Sequence, residues 1–169
     1  MVRALRAMGL EVCLRSGDNA GATERVADAV GIADWRGHCT AVDKVSIIAS
    51  LVQSGHKVLM VGDGLNDGPA LAAASVSLAP SSAADLSQMV ADVVFQGKSL
   101  APVLRCLQVA RRAKTLMYQN LALSIGYNIV MVPLAVAGFI TPWLAAAAMS
   151  SSSLMVICNS LRLRAGRHA

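Results

Sequence analysis

The hydrophobic pattern divides the chain into two parts. Up to Phe95, short apolar runs typical of buried strands alternate with segments whose apolar residues recur at helical spacing. From Thr115 to Leu161 there is no charged residue. The first part therefore predicts alternating strands and helices, which build a parallel α/β sheet, and the second part predicts membrane-spanning helices.

Local sequence signals in the first part indicate where these elements begin and end. Helices are expected over 2–8, 20–30, 40–54, 70–74 and 83–90, and strands over 10–14, 58–61, 76–78 and 93–95, with 32–39 irregular or a short strand. Gly31 is expected to end the second helix as its C′ residue. The third helix is predicted to have an apolar face made of Val42, Val45, Ile48, Ala49 and Val52.

The uncharged stretch is long enough for two membrane helices and a tight turn. Spans are expected over 116–138 and 142–161, after an α/β domain over 1–97 and a basic connecting helix over 98–115, and before a basic tail over 162–169. The flanking charges are all positive: Lys98, Arg105, Arg111, Arg112 and Lys114 before the spans, and Arg162, Arg164 and Arg167 after them. By the positive-inside rule both ends are expected on the cytoplasmic side of a bacterial inner membrane.

Composition supports this reading. The formal charge of +5 combines a first part up to Asp92 that holds all ten acidic residues with a second part that holds no acid and eight of the 15 Lys and Arg residues. A mean hydropathy of +0.55 is too apolar for an ordinary soluble domain. Because aromatic residues for base stacking are few, we expect lipid rather than nucleic acid as the partner of the positive charge. The four cysteines have no metal-site spacing and are expected to be reduced or buried thiols.

The segment from His56 to Leu71 carries the clearest chemistry. An apolar strand runs into a glycine-containing loop with Asp63, Asn66 and Asp67, and a helix is expected to start at Gly68-Pro69. Carboxylates at the carboxyl end of a parallel strand suit a hard cation such as Mg²⁺ that bridges to phosphate. Gly62 and Gly64 allow a sharp turn and a close approach of backbone to ligand. The alternative is an ordinary βα turn, in which Gly, Asn and Asp are also common.

Two further segments are expected near that loop. Ser16, Gly17 and Asp18 follow a strand predicted to neighbour the one before Asp63, so they would lie at the same sheet edge. Lys44, early in the third helix, could reach an anionic ligand there. Alone, each has a simpler explanation, since Ser-Gly-Asp is a common turn and a first-turn lysine is usually solvated.

Polar groups within the apolar spans need partners or a function. Asn120 and Tyr127 share a helix face, with Asn128 beside it. In the second span, one face is predicted to hold Met149, Ser152 and Ser153. The Met149 thioether suits Cu(I), whereas the serines and asparagines could equally bridge the helices by hydrogen bonds. Cys158 is interpreted as packing.

Together these motifs resemble known families. Ser-Gly-Asp, Asp-Lys and Gly-Asp-Gly-x-Asn-Asp, in this order, resemble motifs of the haloacid-dehalogenase-like phosphoryl-transfer fold. With the Tyr-Asn and Met-x-x-Ser-Ser strings of the spans, the whole chain is similar to the carboxy-terminal part of heavy-metal P-type ATPases of the copper subgroup. The strings Val-Ala-Gly-Phe-Ile-Thr-Pro-Trp and Ala-Met-Ser-Ser-Ser-Ser-Leu further resemble its FixI/CcoI branch, which is linked to copper supply for cytochrome oxidase.

The resemblance implies a role for each of these residues in an enzyme that uses ATP and Mg²⁺ to move Cu(I) out of the cytosol. Asp63 would bind Mg²⁺, with Asn66 and Asp67 fixing that site. Lys44 and Ser16 would stabilise the phosphoryl group. Gly17 and Asp18 would belong to the phosphate-side loop, and the copper path would be lined by Tyr127, Asn128, Met149, Ser152 and Ser153.

The sequence also departs from that family. No aspartate is followed by Lys-Thr-Gly, so the phosphorylated nucleophile is absent, as are the nucleotide-binding domain and the Cys-Pro-Cys span. Gly68 stands where the family usually has Ala. The chain is thus expected to begin partway into the phosphorylation domain and, alone, neither to hydrolyse ATP nor to pump copper.

Three functions are compatible with these observations. The chain is part of a copper-exporting ATPase, or a membrane-anchored protein that pairs with an intact pump or its complementary fragment, or a small Mg²⁺-dependent phosphatase, which is the least favoured because it needs the same missing aspartate. In the first case its partners are the remainder of the pump, with a copper chaperone or oxidase assembly factors implied by the resemblance. The sequence does not separate Cu(I) from other soft cations.

Overall fold

The computed structural model describes residues 1–63, 65–83, 85–97 and 99–165. The chain divides into two compact units, Met1–Arg105 and Cys106–Ala169. Of the residues singled out from the sequence, Gly64, Lys98 and Arg167 lie outside the described residues, and the side chain of Arg164 is not described either.

The first unit alternates short strands and helices, as predicted. Its helices are α1 (Val2–Ala7), α2 (Ala20–Val30), α3 (Ala41–Gln53), α4 (Gly68–Ala73) and α5 (Asp85–Val90), and a 3₁₀ turn (Leu65–Asp67) precedes α4. Its strands are β1 (Cys13–Arg15), β2 (Asp34–Arg36), β3 (Leu59–Val61), β4 (Val76–Pro80) and β5 (Val93–Phe95). The predicted α/β fold class is therefore confirmed.

The strands pair in parallel but form two sheets where the sequence predicted one. β1 pairs with β2, with Cys13 opposite Asp34, and β3, β4 and β5 form a second sheet with β4 at its centre. The prediction that β1 neighbours β3 was therefore wrong. β1 and β2, joined by α2, pair with each other, whereas β2 and β3, joined by α3, lie in different sheets.

Strand lengths and burial also differ from expectation. β1 begins at Cys13 rather than Leu10, because its ladder extends only as far as the three residues of β2. All three residues of β3, expected to be buried, are half-buried, since this strand has a described partner on the β4 side alone. By contrast, Ser77 to Ala79 in the centre of β4 are buried.

Side-chain and glycine caps explain where the longer helices begin and end. Asn19 accepts a hydrogen bond from the Ala22 amide at the start of α2, and Gly31 ends that helix with φ of 74°, as predicted. Thr40 and Asp43 form a capping box at the start of α3. The expected apolar face of α3 is only partly correct. Ile48 is buried, but Val42 is 76% exposed because it lies about 120° from Ile48 around the helix.

The second unit contains two long helices. α6 (Ala101–Val136) is continuous from the basic segment through the first predicted span, and α7 (Pro142–Ala165) covers the second. Gly138, with φ of 80°, lies in the turn between them. Both helices are long and apolar enough to cross a membrane.

Candidate functional site

A cavity of about 510 Å³ in the first unit collects most of the residues predicted to bind phosphate and Mg²⁺. Its lining comes from the loops after β1, β2 and β3, the start of α3 and the 3₁₀ turn: Ser16, Gly17, Asp18, His38, Cys39, Thr40, Ala41, Lys44, Asp63, Asn66 and Asp67. The carboxyl ends of β1 and β3 thus meet at one cavity although the strands belong to different sheets.

Lys44 and Asp67 form the best-defined contact of this cavity. The Lys44 Nζ lies 2.6 Å from Asp67 Oδ1, and each side chain is only 12% exposed. A charge-assisted hydrogen bond of this kind, shielded from water, ties α3 to the 3₁₀ turn. The predicted lysine is therefore at the cavity, but its ammonium contacts an internal carboxylate.

Gly62 is needed for packing against Asp67. A Cβ atom placed on Gly62 would lie 2.8 Å from the Cβ and 3.0 Å from Oδ2 of Asp67, closer than such atoms approach. The Gly62 amide donates to the Leu78 carbonyl of β4 at 3.2 Å. Gly62 thus leaves room for a side chain of its own loop, and its close approach to a ligand stays a prediction.

Asp63 is exposed at the cavity and, within the described part of the chain, makes no hydrogen bond or ion pair. The described residues contain no cluster of three or more His, Cys, Asp or Glu that could hold a metal ion. One or two carboxylates, completed by water and substrate phosphate, commonly hold Mg²⁺, so the carboxylates Asp63 and Asp67 of the cavity fit that ion. Asp63 offers the accessible carboxylate, and Asp67 is already paired with Lys44.

The loop after β1 is held by its own polar groups. The Ser16 hydroxyl donates to Asp18 Oδ2 at 2.9 Å and accepts from the Asp18 amide at 3.2 Å. The Cys39 amide donates to the Ser16 carbonyl at 2.8 Å. To donate to a phosphoryl oxygen, the Ser16 hydroxyl must turn away from Asp18.

His38 lines the cavity and was missed by the sequence analysis. Its φ of 51° places it in the left-handed region, its amide donates to the Asp18 carbonyl at 2.7 Å, and its Nε2 accepts from the Ala20 amide at 3.3 Å. His38 thus joins the loop after β2 to Asp18 through its amide and to the start of α2 through its ring. No spacing in the sequence marked this residue, because its partners are distant along the chain.

One carboxyl next to the cavity has a shifted titration. The Thr40 hydroxyl and then the Thr40 amide donate to Asp43, and with the nearby charge of Arg36 they hold the pKa of Asp43 below its ordinary value of 3.8. The ionised carboxylate is thus the form that caps α3.

In the hairpin, the predicted copper-path residues make no hydrogen bond between the helices in the described part of the chain. Tyr127 and Ser152 are half-buried, Asn128 and Ser153 are exposed, and Met149 is 71% exposed. Among the serines that could have bridged the helices, Ser150 and Ser151 instead donate to carbonyls of their own helix.

The hydrogen bonds between α6 and α7 come instead from residues near the basic ends of the helices. Asn120 donates to Ser160 at 2.9 Å, and Asn159 donates to Asn120 at 2.8 Å and to Gln119 at 3.4 Å. Of these, the sequence analysis singled out Asn120 alone. Cys158, interpreted as packing, is exposed, because Asn159 and Ser160 occupy the face towards α6.

Comparison with known proteins shows what the chain is similar to. Residues 1–75 match the model of haloacid dehalogenase-like hydrolases. The chain is 51% identical over 164 residues to the nitrogen fixation protein FixI of Bradyrhizobium diazoefficiens, covering 97% of this chain and 22% of that protein. It is also 39% identical to "Probable copper-exporting P-type ATPase V" of Mycobacterium tuberculosis, covering 97% of this chain and 21% of the relative. The chain is thus similar, along almost its whole length, to part of a named P-type ATPase.

Solved structures of P-type ATPases are also similar to this chain. The crystal structure of a zinc-transporting PIB-type ATPase in the E2.Pi state superposes with a TM-score of 0.89 at 28% identity, over 96% of this chain and 26% of that one. The catalytic CPx-ATPase domain CopB-B matches at 39% identity with a TM-score of 0.53, over 55% of this chain and 37% of that one. The predicted resemblance to the carboxy-terminal part of heavy-metal P-type ATPases is confirmed, and the chain spans about a fifth of the length of the curated relatives it matches.

Proposed function

We propose that this chain forms the carboxy-terminal part of an ATP-driven Cu(I)-translocating P-type ATPase, and that it contributes the Mg²⁺-binding side of the phosphorylation site and one hairpin of the metal path. The observation that carries this proposal is the single cavity that brings Ser16, Lys44 and Asp63 together. The two helices long and apolar enough to cross a membrane support the transport role.

Within this proposal, the side chains of the cavity divide the work at the phosphoryl group. Mg²⁺, when bound, would neutralise phosphate charge, and Asp63 is its accessible ligand. Lys44 keeps Asp67 and the 3₁₀ turn in place through their 2.6 Å contact and presents its positive charge to the cavity. The Ser16 hydroxyl would donate to a phosphoryl oxygen, with Gly17 and Asp18 in the same loop, and Asn66 lines the same cavity.

The nucleophile has to come from outside these 169 residues, because none of their aspartates is followed by Lys-Thr-Gly. The two separate sheets fit this need. Among the described strands, β1 and β3 each have an unpaired edge, and their carboxyl ends meet at the cavity. We therefore expect the isolated chain to be inactive and the remainder of the pump to complete the site.

The transported ion in this proposal is Cu(I). The Met149 thioether is a soft ligand, and a relative is named for copper export, although the zinc-transporting structure shares the fold. Tyr127, Asn128, Ser152 and Ser153 would line the same path. The surrounding partners would be inner-membrane lipid with both chain ends cytoplasmic, and the copper chaperone or oxidase assembly factors of the host.

The test is reconstitution with the missing part. The chain is co-expressed with the amino-terminal remainder of the Bradyrhizobium diazoefficiens FixI protein, and Cu(I)-stimulated ATP hydrolysis is measured in the isolated membranes. We expect ATP hydrolysis only when the two parts are expressed together. Asp63→Ala should abolish this hydrolysis, and Asp85→Ala, which removes an exposed carboxylate of α5, should retain it. In the same assay Met149→Leu should lower copper stimulation and leave basal hydrolysis in place.

Two results would contradict the proposal. Phosphatase activity of the chain alone that Asp63→Ala removes would favour the small-phosphatase function. The two parts could also insert into the membrane and co-purify without hydrolysing ATP. That result would show that the cavity does not complete a phosphorylation site.

A second candidate function rests on the same open strand edges. A chain with unpaired parallel edges on β1 and β3 is suited to pairing with another polypeptide, so it could act as a membrane-anchored partner of an intact pump. That function predicts co-purification with a full-length ATPase from native membranes, and an immunoblot of those membranes that detects a polypeptide of 17.5 kDa. A much larger band would assign the chain to the pump itself.

A further inference from the structure

The polar network at the basic end of the hairpin has a defined direction. Arg162 carries only donors, so the atom of Asn159 that it contacts at 3.1 Å must be Oδ1. Asn159 Nδ2 therefore faces the Asn120 oxygen, and Asn120 Nδ2 faces the Ser160 hydroxyl. The Ser160 hydrogen in turn goes to the Val156 carbonyl at 2.8 Å.

In this arrangement the amide oxygens of the network all accept hydrogen bonds from other residues of the network. The oxygens of Gln119, Asn120 and Asn159 each accept from a protein donor. The groups left over are donors. Gln119 Nε2 and the other guanidinium N–H groups of Arg162 have no acceptor within the described residues. A ligand at this surface must therefore supply acceptor oxygens.

The positively charged side chains nearby also favour a ligand with acceptor oxygens. Arg112 lies seven residues before Gln119 on α6, about 20° away around the helix, so both are on one face. Arg112 and Gln119 are exposed, and from residue 93 to the end the sequence contains no acidic residue that could neutralise the arginines. Lys114 lies about 140° from Gln119 and contacts the Tyr118 ring instead, with Nζ 5.9 Å from its centroid.

We propose that Arg162, Gln119 and Arg112 form a binding site for the phosphate of an anionic phospholipid in the cytoplasmic leaflet. The site lies where the uncharged helices give way to basic residues, which is the depth of lipid headgroups. A phosphodiester offers oxygens to the free donors and negative charge to the arginines. The inference rests on the proposed membrane orientation, and its readout requires neither ATP hydrolysis nor copper.

The experiment measures lipid retention by the whole chain. The chain is purified in detergent, equilibrated with mixed micelles containing equal amounts of phosphatidylglycerol and phosphatidylcholine, and examined by native mass spectrometry. We expect preferential retention of phosphatidylglycerol. Arg162→Gln should lower this retention about fivefold and Arg112→Gln by a similar factor, the effect of one basic residue near an anionic surface. Lys114→Gln, an equal change of charge on another face, should leave retention nearly unchanged.

Arg112 makes no contact within the network, so its variant keeps the test valid if Arg162→Gln disturbs the hairpin. Equal retention of the two lipids by the unmodified chain would overturn the proposal. An equal loss in all three variants would also overturn it, because it would show general attraction to a positive surface. Release of the lipid by millimolar inorganic phosphate would assign the site to free phosphate.

Discussion

At the scale of single residues, the shape of the cavity depends on contacts among Gly62, Asp67 and Lys44. Gly62 leaves room for Asp67, and Asp67 is paired with Lys44. Each position constrains the next, because close-packed interiors do not yield easily. The cavity proposed to bind phosphate is thus shaped by contacts among the chain's own residues.

Replacement of Gly62 by alanine tests this packing. The added Cβ would lie 2.8 Å from Asp67 Cβ, so we expect Gly62→Ala to lower the free energy of unfolding by about 1–3 kcal/mol. Urea unfolding of the detergent-solubilised chain can be followed by Trp35 fluorescence in a Trp143→Phe background. The matched control is Gly21→Ala in α2, where the nearest atom is 3.8 Å away and alanine favours the helix. Equal stability of Gly62→Ala and the unmodified chain would show that the loop adjusts freely.

Removal of the Lys44 charge tests the ion pair. Lys44→Gln leaves the mostly buried Asp67 carboxylate without its cation, and we expect a loss of about 2–3 kcal/mol in the same urea assay. Lys57→Gln, at an exposed position, should change stability little. Addition of Asp67→Asn to Lys44→Gln should recover part of the loss, because the carboxylate that lost its Lys44 partner is then neutral. Strict additivity of the two changes would argue against a direct energetic coupling.

At the scale of elements, local signals set the helices. Asn19 and Thr40 cap α2 and α3, and Gly31 ends α2 with a positive φ. These interactions are made within a few residues of the helix ends, which is why the sequence predicted the helices closely. α3 then carries Lys44 in its first turns towards the cavity.

The capping box of α3 leads to a pH prediction. Because the folded-state pKa of Asp43 is lowered from 3.8, its contribution to stability is present above that value and is lost as the pH falls through the lower folded-state pKa. Asp43→Asn should therefore be less stable than the unmodified chain near neutral pH, and the difference should shrink below 3.8. Thermal unfolding across this range measures it, with Asp28→Asn, an exposed carboxylate of α2 without a cap contact, as control. A difference that is constant at all pH values would contradict the capping role.

At the scale of the whole molecule, the two parallel sheets lead to a hydrogen-exchange prediction. β4 has strands on both sides and a buried centre, so its amides should exchange slowest in the first unit. The β1 and β3 amides should exchange faster. The amino-terminal remainder of a pump should slow β1 and β3 together and leave β5, on the far edge of its sheet, unchanged. Uniform slowing, or none in β1 and β3, would show that these edges are not where the chain is completed.

The sequence by itself determined the secondary-structure elements, the position of the Asp63 loop and the helical hairpin. Hydrophobic period, caps and glycine positions act over a few residues, so they predicted α2, α3 and the two long helices, and the Asp63 loop was recognised from its residue types. Mg²⁺ binding by Asp63 and the copper path remain predictions, since no contact in the structure tests them.

Only the tertiary structure decided the partners. It showed that β1 pairs with β2 and not with β3, that Lys44 contacts Asp67, and that His38 bonds Asp18 and Ala20. It also showed that Asn159, rather than Ser150 or Ser151, joins α6 and α7. Each of these choices is made between groups far apart in sequence. Periodicity states which side of an element is apolar, whereas the partner of a polar group depends on which elements meet in space.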